Sequence, residues 1–157
     1  MSSLLRRSTP VMLMAAVLIF FAHATAHAAP SSDAADRCGA LEIGSPASTS
    51  DQAQARFSCF TAALQTCDPV SLIVSAHTAD AVVTRTFATQ MGERACAIVE
   101  TVDRSANGKT STDTNICQEA RRNKDGLAFS RCGQDGDVTV PEVPTADAIA
   151  AFIKART

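Results

Sequence analysis

From residue 82 to 91 the chain reads VVTRTFATQM, which sets Val83, Arg85, Phe87, Thr89 and Met91 on one face and mostly small or hydroxylated residues on the other. A two-residue period rich in β-branched side chains predicts a half-buried strand. Gly92-Glu93, read as a two-residue hairpin turn with glycine first, places Phe87 opposite Ile98, Val83 opposite Val102, Thr89 opposite Cys96 and Arg85 opposite Glu100. Ala79-Asp80, read as the preceding turn, places Ala76, Val74 and Leu72 opposite Val83, Arg85 and Phe87. Both turns collect the apolar set on one face, so residues 71–103 are expected as a three-strand antiparallel meander.

Upstream the period changes. Ala53, Phe57, Phe60, Leu64 and Cys67 recur at steps of three and four, the stripe of an amphipathic helix. Thr49 with Gln52 three residues on forms a capping box at its start, and Asp68-Pro69 ends it, because the residue before proline avoids helical backbone angles. A second, shorter stripe, Ile149, Phe152 and Ile153, follows Thr145 as the helix start, with Asp147 in the first turn and Lys154 and Arg156 near the end. A helix this short needs a surface to dock on.

The intervening residues are less periodic. Residues 105–113, SANGKTSTD, read as an exposed polar hairpin loop, and residues 114–122 as a fourth strand ending near Gln118, with a short helix capped by Asn115 as the competing reading. Asp135-Gly136-Asp137 reads as a polar turn, and Pro141 and Pro144 as an extended connector.

Arg6-Arg7, the apolar run of residues 11–21 and the small residues ending in Ala26-His27-Ala28 have the form of a secretory signal peptide of the general route, since Ser8-Thr9-Pro10 lacks the hydrophobic follow-up of a twin-arginine signal. The run is well short of the ~20 apolar residues that span a bilayer. No cysteine sits at the cleavage point, which argues against a lipid anchor. The expected organisation is a cleaved leader at 1–28, an extended segment at 29–48, one disulfide-stapled domain at 49–140, and a connector with the C-terminal helix at 141–157. The expected location is the periplasm or the extracellular medium.

The leader holds two of the 14 basic residues and none of the 16 acidic ones, leaving twelve against sixteen and a net charge of −4. That balance, with no Trp and no Tyr, gives neither the basic surface nor the stacking platforms of nucleic-acid binders. All six cysteines fall after the leader, and an even count in an exported chain reads as a disulfide framework. Cys59 and Cys67 on one helix stand roughly 12 Å apart at 1.5 Å per residue, beyond disulfide reach. Cys67 ends the buried stripe beside the sheet end where Cys96 falls; Cys59 faces the flank open to Cys38; a loop at residues 123–126 sets Cys117 opposite Cys132. The expected bridges are therefore Cys67 with Cys96, Cys38 with Cys59 and Cys117 with Cys132.

Candidate chemistry is sparse. Zinc needs ligand pairs at short spacing, which this chain lacks, and only His77 remains after the leader. Gly108-Lys109-Thr110 is no phosphate loop, because Asp103 stands where the first glycine belongs. The 135–137 segment lacks the repeated carboxylates and closing glutamate of a calcium loop. His77 alternates to the outer side of the meander, away from any nucleophile. Arg85 and Glu100 are the exception, since both point to the apolar face, as a cross-strand ion pair or as a polar cluster able to orient a ligand carboxylate.

One helix across an antiparallel meander resembles the general layout of cystatin-like folds, an architectural likeness that implies no activity. The expected fold is α+β: an N-terminal helix packed on an antiparallel meander of three to five strands, a short C-terminal helix and three disulfides. The expected function is a non-catalytic, exported binding or inhibitory module of the cell envelope, with no cofactor, no metal and an envelope or extracellular protein as partner. The alternatives are a small-ligand carrier or small enzyme built on Arg85 and Glu100, and a structural envelope component.

Overall fold

Thr49 starts the first helix: its backbone is extended, its Oγ1 accepts the Gln52 N–H at 3.3 Å, and α1 runs from Ser50–Thr66. Cys67 ends it in the left-handed conformation. The face carrying Ala53, Phe57, Phe60 and Ala63 is buried, with Leu64 at its margin. Each phenylalanine so removed from water contributes about 1.5–3 kcal/mol. The computed structural model describes residues 38–155 except 47 and 94. The expected signal peptide and Arg156 lie outside the described residues.

The remaining elements are β1 (Ala40–Ile43), β2 (Ser71–His77), β3 (Ala81–Met91), β4 (Cys96–Ala106), β5 (Lys109–Cys117), β6 (Glu119–Asn123), β7 (Gly126–Ser130), β8 (Val138–Pro141) and α2 (Ala146–Lys154), with a 3-10 turn at Gly133–Asp135. They form an α+β fold with two sheets, one ordered β1-β2-β3-β4-β5 and the other β6-β7-β8. The first is mixed, because β1 lies parallel to β2 while the other neighbours are antiparallel.

The β2–β3 pairing matches the expected register, with Leu72 opposite Phe87, Val74 opposite Arg85 and Ala76 opposite Val83. The β3–β4 pairing differs. Met91 closes the ladder against Cys96, so the connection is four residues long, and the Gly92 N–H donates to the Ala95 carbonyl at 3.0 Å. Arg85 therefore faces Val102, and Glu100 faces Phe87. The slip is two residues, and an even slip keeps every side chain on its predicted face.

Residues 105–113 are a tight hairpin rather than a loop. Asn107 and Gly108 both hold positive φ, 52° and 73°, the type I′ pattern that suits the twist of antiparallel strands, and Ala106 pairs directly with Lys109. Residues 119–123, open between helix and strand in the sequence, form β6. Asn123 Oδ1 accepts from the Asp125 and Gly126 N–H groups at 2.8 and 3.0 Å, tightening the β6–β7 turn. The expected extended N-terminal segment contributes β1, and Pro141 closes β8 against Gly126 instead of opening a connector.

The second sheet and both helices cover one face of the first. Phe129 of β7 stacks on Phe87 of β3, with ring centroids 3.7 Å apart, and meets Phe60 of α1 edge-on at 5.6 Å. Three disulfides fasten the layers: Cys38–Cys59 ties the start of β1 to α1, Cys67–Cys96 ties the end of α1 to β4, and Cys117–Cys132 ties β5 to the segment after β7. Three disulfides suit an oxidising, non-cytosolic environment. No helix among the described residues is long and apolar enough to cross a membrane.

Candidate functional site

Strand parity places Arg85 on the inner face of β3 between Val83 and Phe87, where its side chain has no solvent exposure. Glu100, on the inner face of β4, is equally enclosed. They are diagonal neighbours rather than opposite partners, and a long guanidinium spans that offset. Arg85 Nη1 donates to Glu100 Oε1 at 2.5 Å and to Asp135 Oδ2 at 2.6 Å, and Nη2 donates to the Ala155 carbonyl at 3.1 Å.

The cluster extends further than the pair. Arg104 donates from Nη2 to Asp135 Oδ2 at 2.6 Å and from Nη1 to Asp113 Oδ2 at 2.9 Å. Asn115 Nδ2 donates to Glu100 Oε2 at 3.0 Å. Two guanidinium groups thus meet three carboxylates, with Asp135 bridging both cations. Phe152 of α2 lies beneath Arg85, its ring centroid 5.3 Å from the guanidinium carbon, so the cluster also seats the C-terminal helix. Ala155, which caps the end of α2, presents its carbonyl to Arg85, the favourable polarity for a cation there.

The site is closed. Both carboxylates on Arg85 Nη1 belong to the protein, and Arg85 Nε is buried without a hydrogen-bond partner among the described residues. A polar pocket of about 90 Å³ borders the cluster, lined by Asp113, Thr114, Asn115, Gln134 and Asp135, and Arg85 does not line it. The Glu100 carboxylate and the Cys117 and Cys132 sulfurs lie within 4.8 Å of one another, but the sulfurs are bonded to each other and supply no thiolate for a metal. His77 sits on the exposed side of β2, 3.8 Å from Glu42, apart from this cluster.

Of the cluster, the sequence singled out Arg85 and Glu100. Arg104, Asp113 and Asn115 were legible in principle, since recognising Asn107-Gly108 as a type I′ turn fixes the β4–β5 register and sets all three on the inner face. Asp135, expected in a solvated polar turn, is instead buried at the centre, brought there by the 3-10 turn after Cys132. No family model matches the chain, and neither does any curated protein or solved structure.

Proposed function

We propose that this protein is a non-catalytic binding or inhibitory module exported to the cell envelope or beyond. The observation that carries the reading is the enclosure of the ionic cluster: both terminal nitrogens of Arg85 bond groups of the protein itself and its unpartnered Nε is buried, so Arg85 supports α2 and the sheet and presents no donor to solvent. A general acid or base needs a reacting group within hydrogen-bond reach, and among the described residues Glu100 bonds Arg85 and Asn115 alone. A disulfide-fastened scaffold whose polar chemistry is spent on its own rigidity suits the presentation of a fixed surface to a partner. The leader-like N-terminus and the three disulfides favour export. In layout the fold is loosely cystatin-like, a likeness of architecture alone.

Purification of the full chain from the periplasm or culture fluid of its own cells tests the proposal. A polypeptide that co-elutes in fixed stoichiometry supports it. A retained small molecule replaces it with the carrier reading, and an empty, monodisperse protein replaces it with the structural-component reading.

A further inference from the structure

The first sheet ends in two unlike edges. β1 is 4 residues long, whereas β5 runs for 9 and, among the described residues, pairs on one side alone, with β4. Natural sheets blunt a long exposed edge with proline, a bulge or unpaired charges. β5 has no proline and its ladder with β4 is unbroken from Lys109 to Cys117. Its mid-strand charge, Asp113, is neutralised by Arg104 at 2.9 Å. Its outer face reads Thr110, Thr112, Thr114 and Ile116, all exposed and all β-branched.

The type I′ turn decides which backbone groups lie open. Ala106 and Lys109 flank the turn, so they exchange hydrogen bonds, and the bonded pairs alternate from there. Ser111, Asp113 and Asn115 therefore bond β4, while the N–H and carbonyl groups of Thr110, Thr112 and Thr114 point away from it. The same alternation, carried across the sheet, accounts for the Thr78 N–H donating to the Ala81 carbonyl at 2.8 Å and the Ile73 N–H to the Gly39 carbonyl at 3.1 Å. Among the described residues, no other element bonds the three outward backbone groups.

This edge is complementary to itself. Its two charges, Lys109 and Asp113, share the inner face and have opposite sign. An antiparallel copy turned about a two-fold axis at Thr112 sets Thr112 against Thr112, Thr110 against Thr114, and Ser111 against Asp113. Lys109 then stands opposite Asn115 and diagonal to the partner's Asp113, within reach of a long side chain. An axis at Asp113 would oppose two carboxylates, and an axis at Ser111 would leave Thr114 unpaired.

We infer that β5 joins a second copy of this chain edge to edge in the Thr112-centred register, making one sheet continuous across both protomers. Main-chain hydrogen bonds supply the affinity and the Lys109–Asp113 diagonals the register. The inference goes beyond the binding-module reading, which concerns a different polypeptide.

Sedimentation of the purified exported chain over a concentration series tests it. A monomer–dimer equilibrium is expected, with a dissociation constant on the order of micromolar because the joint is smaller than a standard interface. Thr112→Lys opposes two ammonium groups at the axis and is expected to weaken the dimer at least ~10-fold. Thr112 is exposed and its backbone points off β4, so the variant keeps the wild-type far-ultraviolet circular dichroism. Thr112→Glu weakens the dimer likewise, and an equal mixture of the two variants restores it through an opposite-charge pair. A monomer at every concentration, a dimer indifferent to Thr112→Lys, or a mixture no tighter than either variant alone overturns the inference. A monomer from which Thr112→Lys releases a co-eluting polypeptide also overturns it, assigning the edge to a foreign strand and leaving the binding module in place. A dimer that responds to both variants and retains no other polypeptide supports the inference while removing the binding module.

Discussion

Replacing Arg85 with methionine removes the cation that joins Glu100, Asp135 and the end of α2 while keeping an aliphatic stem in its place. Asp135 keeps Arg104 at 2.6 Å, so the group left stranded is Glu100, fully enclosed and, among the described residues, held by the Asn115 amide alone. Removing one partner of a buried ion pair costs about 3–5 kcal/mol, because the remaining charge is desolvated without compensation. Glu100→Gln is milder. The five ionised groups, two cationic and three anionic, become balanced when that carboxylate is neutralised, Arg85 keeps Asp135, and the loss is that of one charge-assisted hydrogen bond, about 1.5–3 kcal/mol. The double change Arg85→Met with Glu100→Leu removes both charges and is expected to recover at least ~2 kcal/mol of the single Arg85→Met cost. With no Trp or Tyr, unfolding is best followed by far-ultraviolet circular dichroism in urea and on heating. At a few degrees per kcal/mol for a domain of this size, Arg85→Met lowers the melting temperature by roughly 10–20 °C. If Arg85→Met costs no more than about 1 kcal/mol, or the double variant melts no higher than the single, the cluster is not a desolvated ionic network.

Two glycine substitutions are expected to separate sharply. Gly108→Ala adds a methyl that meets nothing within 4 Å and costs only the left-handed backbone preference, about 1 kcal/mol, whereas Gly126→Ala places that methyl 2.0 Å from the Val140 carbonyl and prevents normal β7–β8 pairing; denaturant midpoints of the two variants check this. Thr49→Ala removes the acceptor for the Gln52 N–H and is expected to cost about 1 kcal/mol, with loss of protection in amide exchange confined first to the start of α1. Replacing Cys117 and Cys132 together by alanine is expected to cost about 2–4 kcal/mol and leave the other two bridges intact in non-reducing peptide maps. Scrambled bridges in that variant would mean that this disulfide directs folding as well as stabilising the product.

Local rules determined a definite part of this protein. The α1 limits follow from Thr49, Gln52 and Pro69, because capping and the proline restriction act within a few residues and owe nothing to the rest of the fold. The α2 start follows from Thr145, whose Oγ1 accepts the Ala148 N–H at 3.2 Å. The inner face of β2, β3 and β4 follows from the period of two, which survives even a register slip of two residues. That is why Arg85 and Glu100 were legible as facing inward together although their exact pairing was not. Where the turn chemistry was under-read, at Asn107-Gly108, the signal was present in two adjacent residues.

Other features had no local signature. The β1 segment is four residues long and pairs parallel to β2 across the whole of α1, a partnership that no short-range pattern encodes. The four-residue connection after Met91 is set by where Cys96 enters the ladder rather than by Gly92-Glu93. The separate second sheet arises because Phe129 finds its place between Phe87 and Phe60, contacts distant in sequence. Asp135 reads locally as a solvated turn residue and is charged, so sequence reasoning sends it to the surface. Two guanidinium groups arriving from β3 and β4 offset its desolvation and hold it in the interior. Short-range sterics and periodicity therefore determined which way each side chain points. Only packing of the two sheets and two helices decided which of those side chains meet.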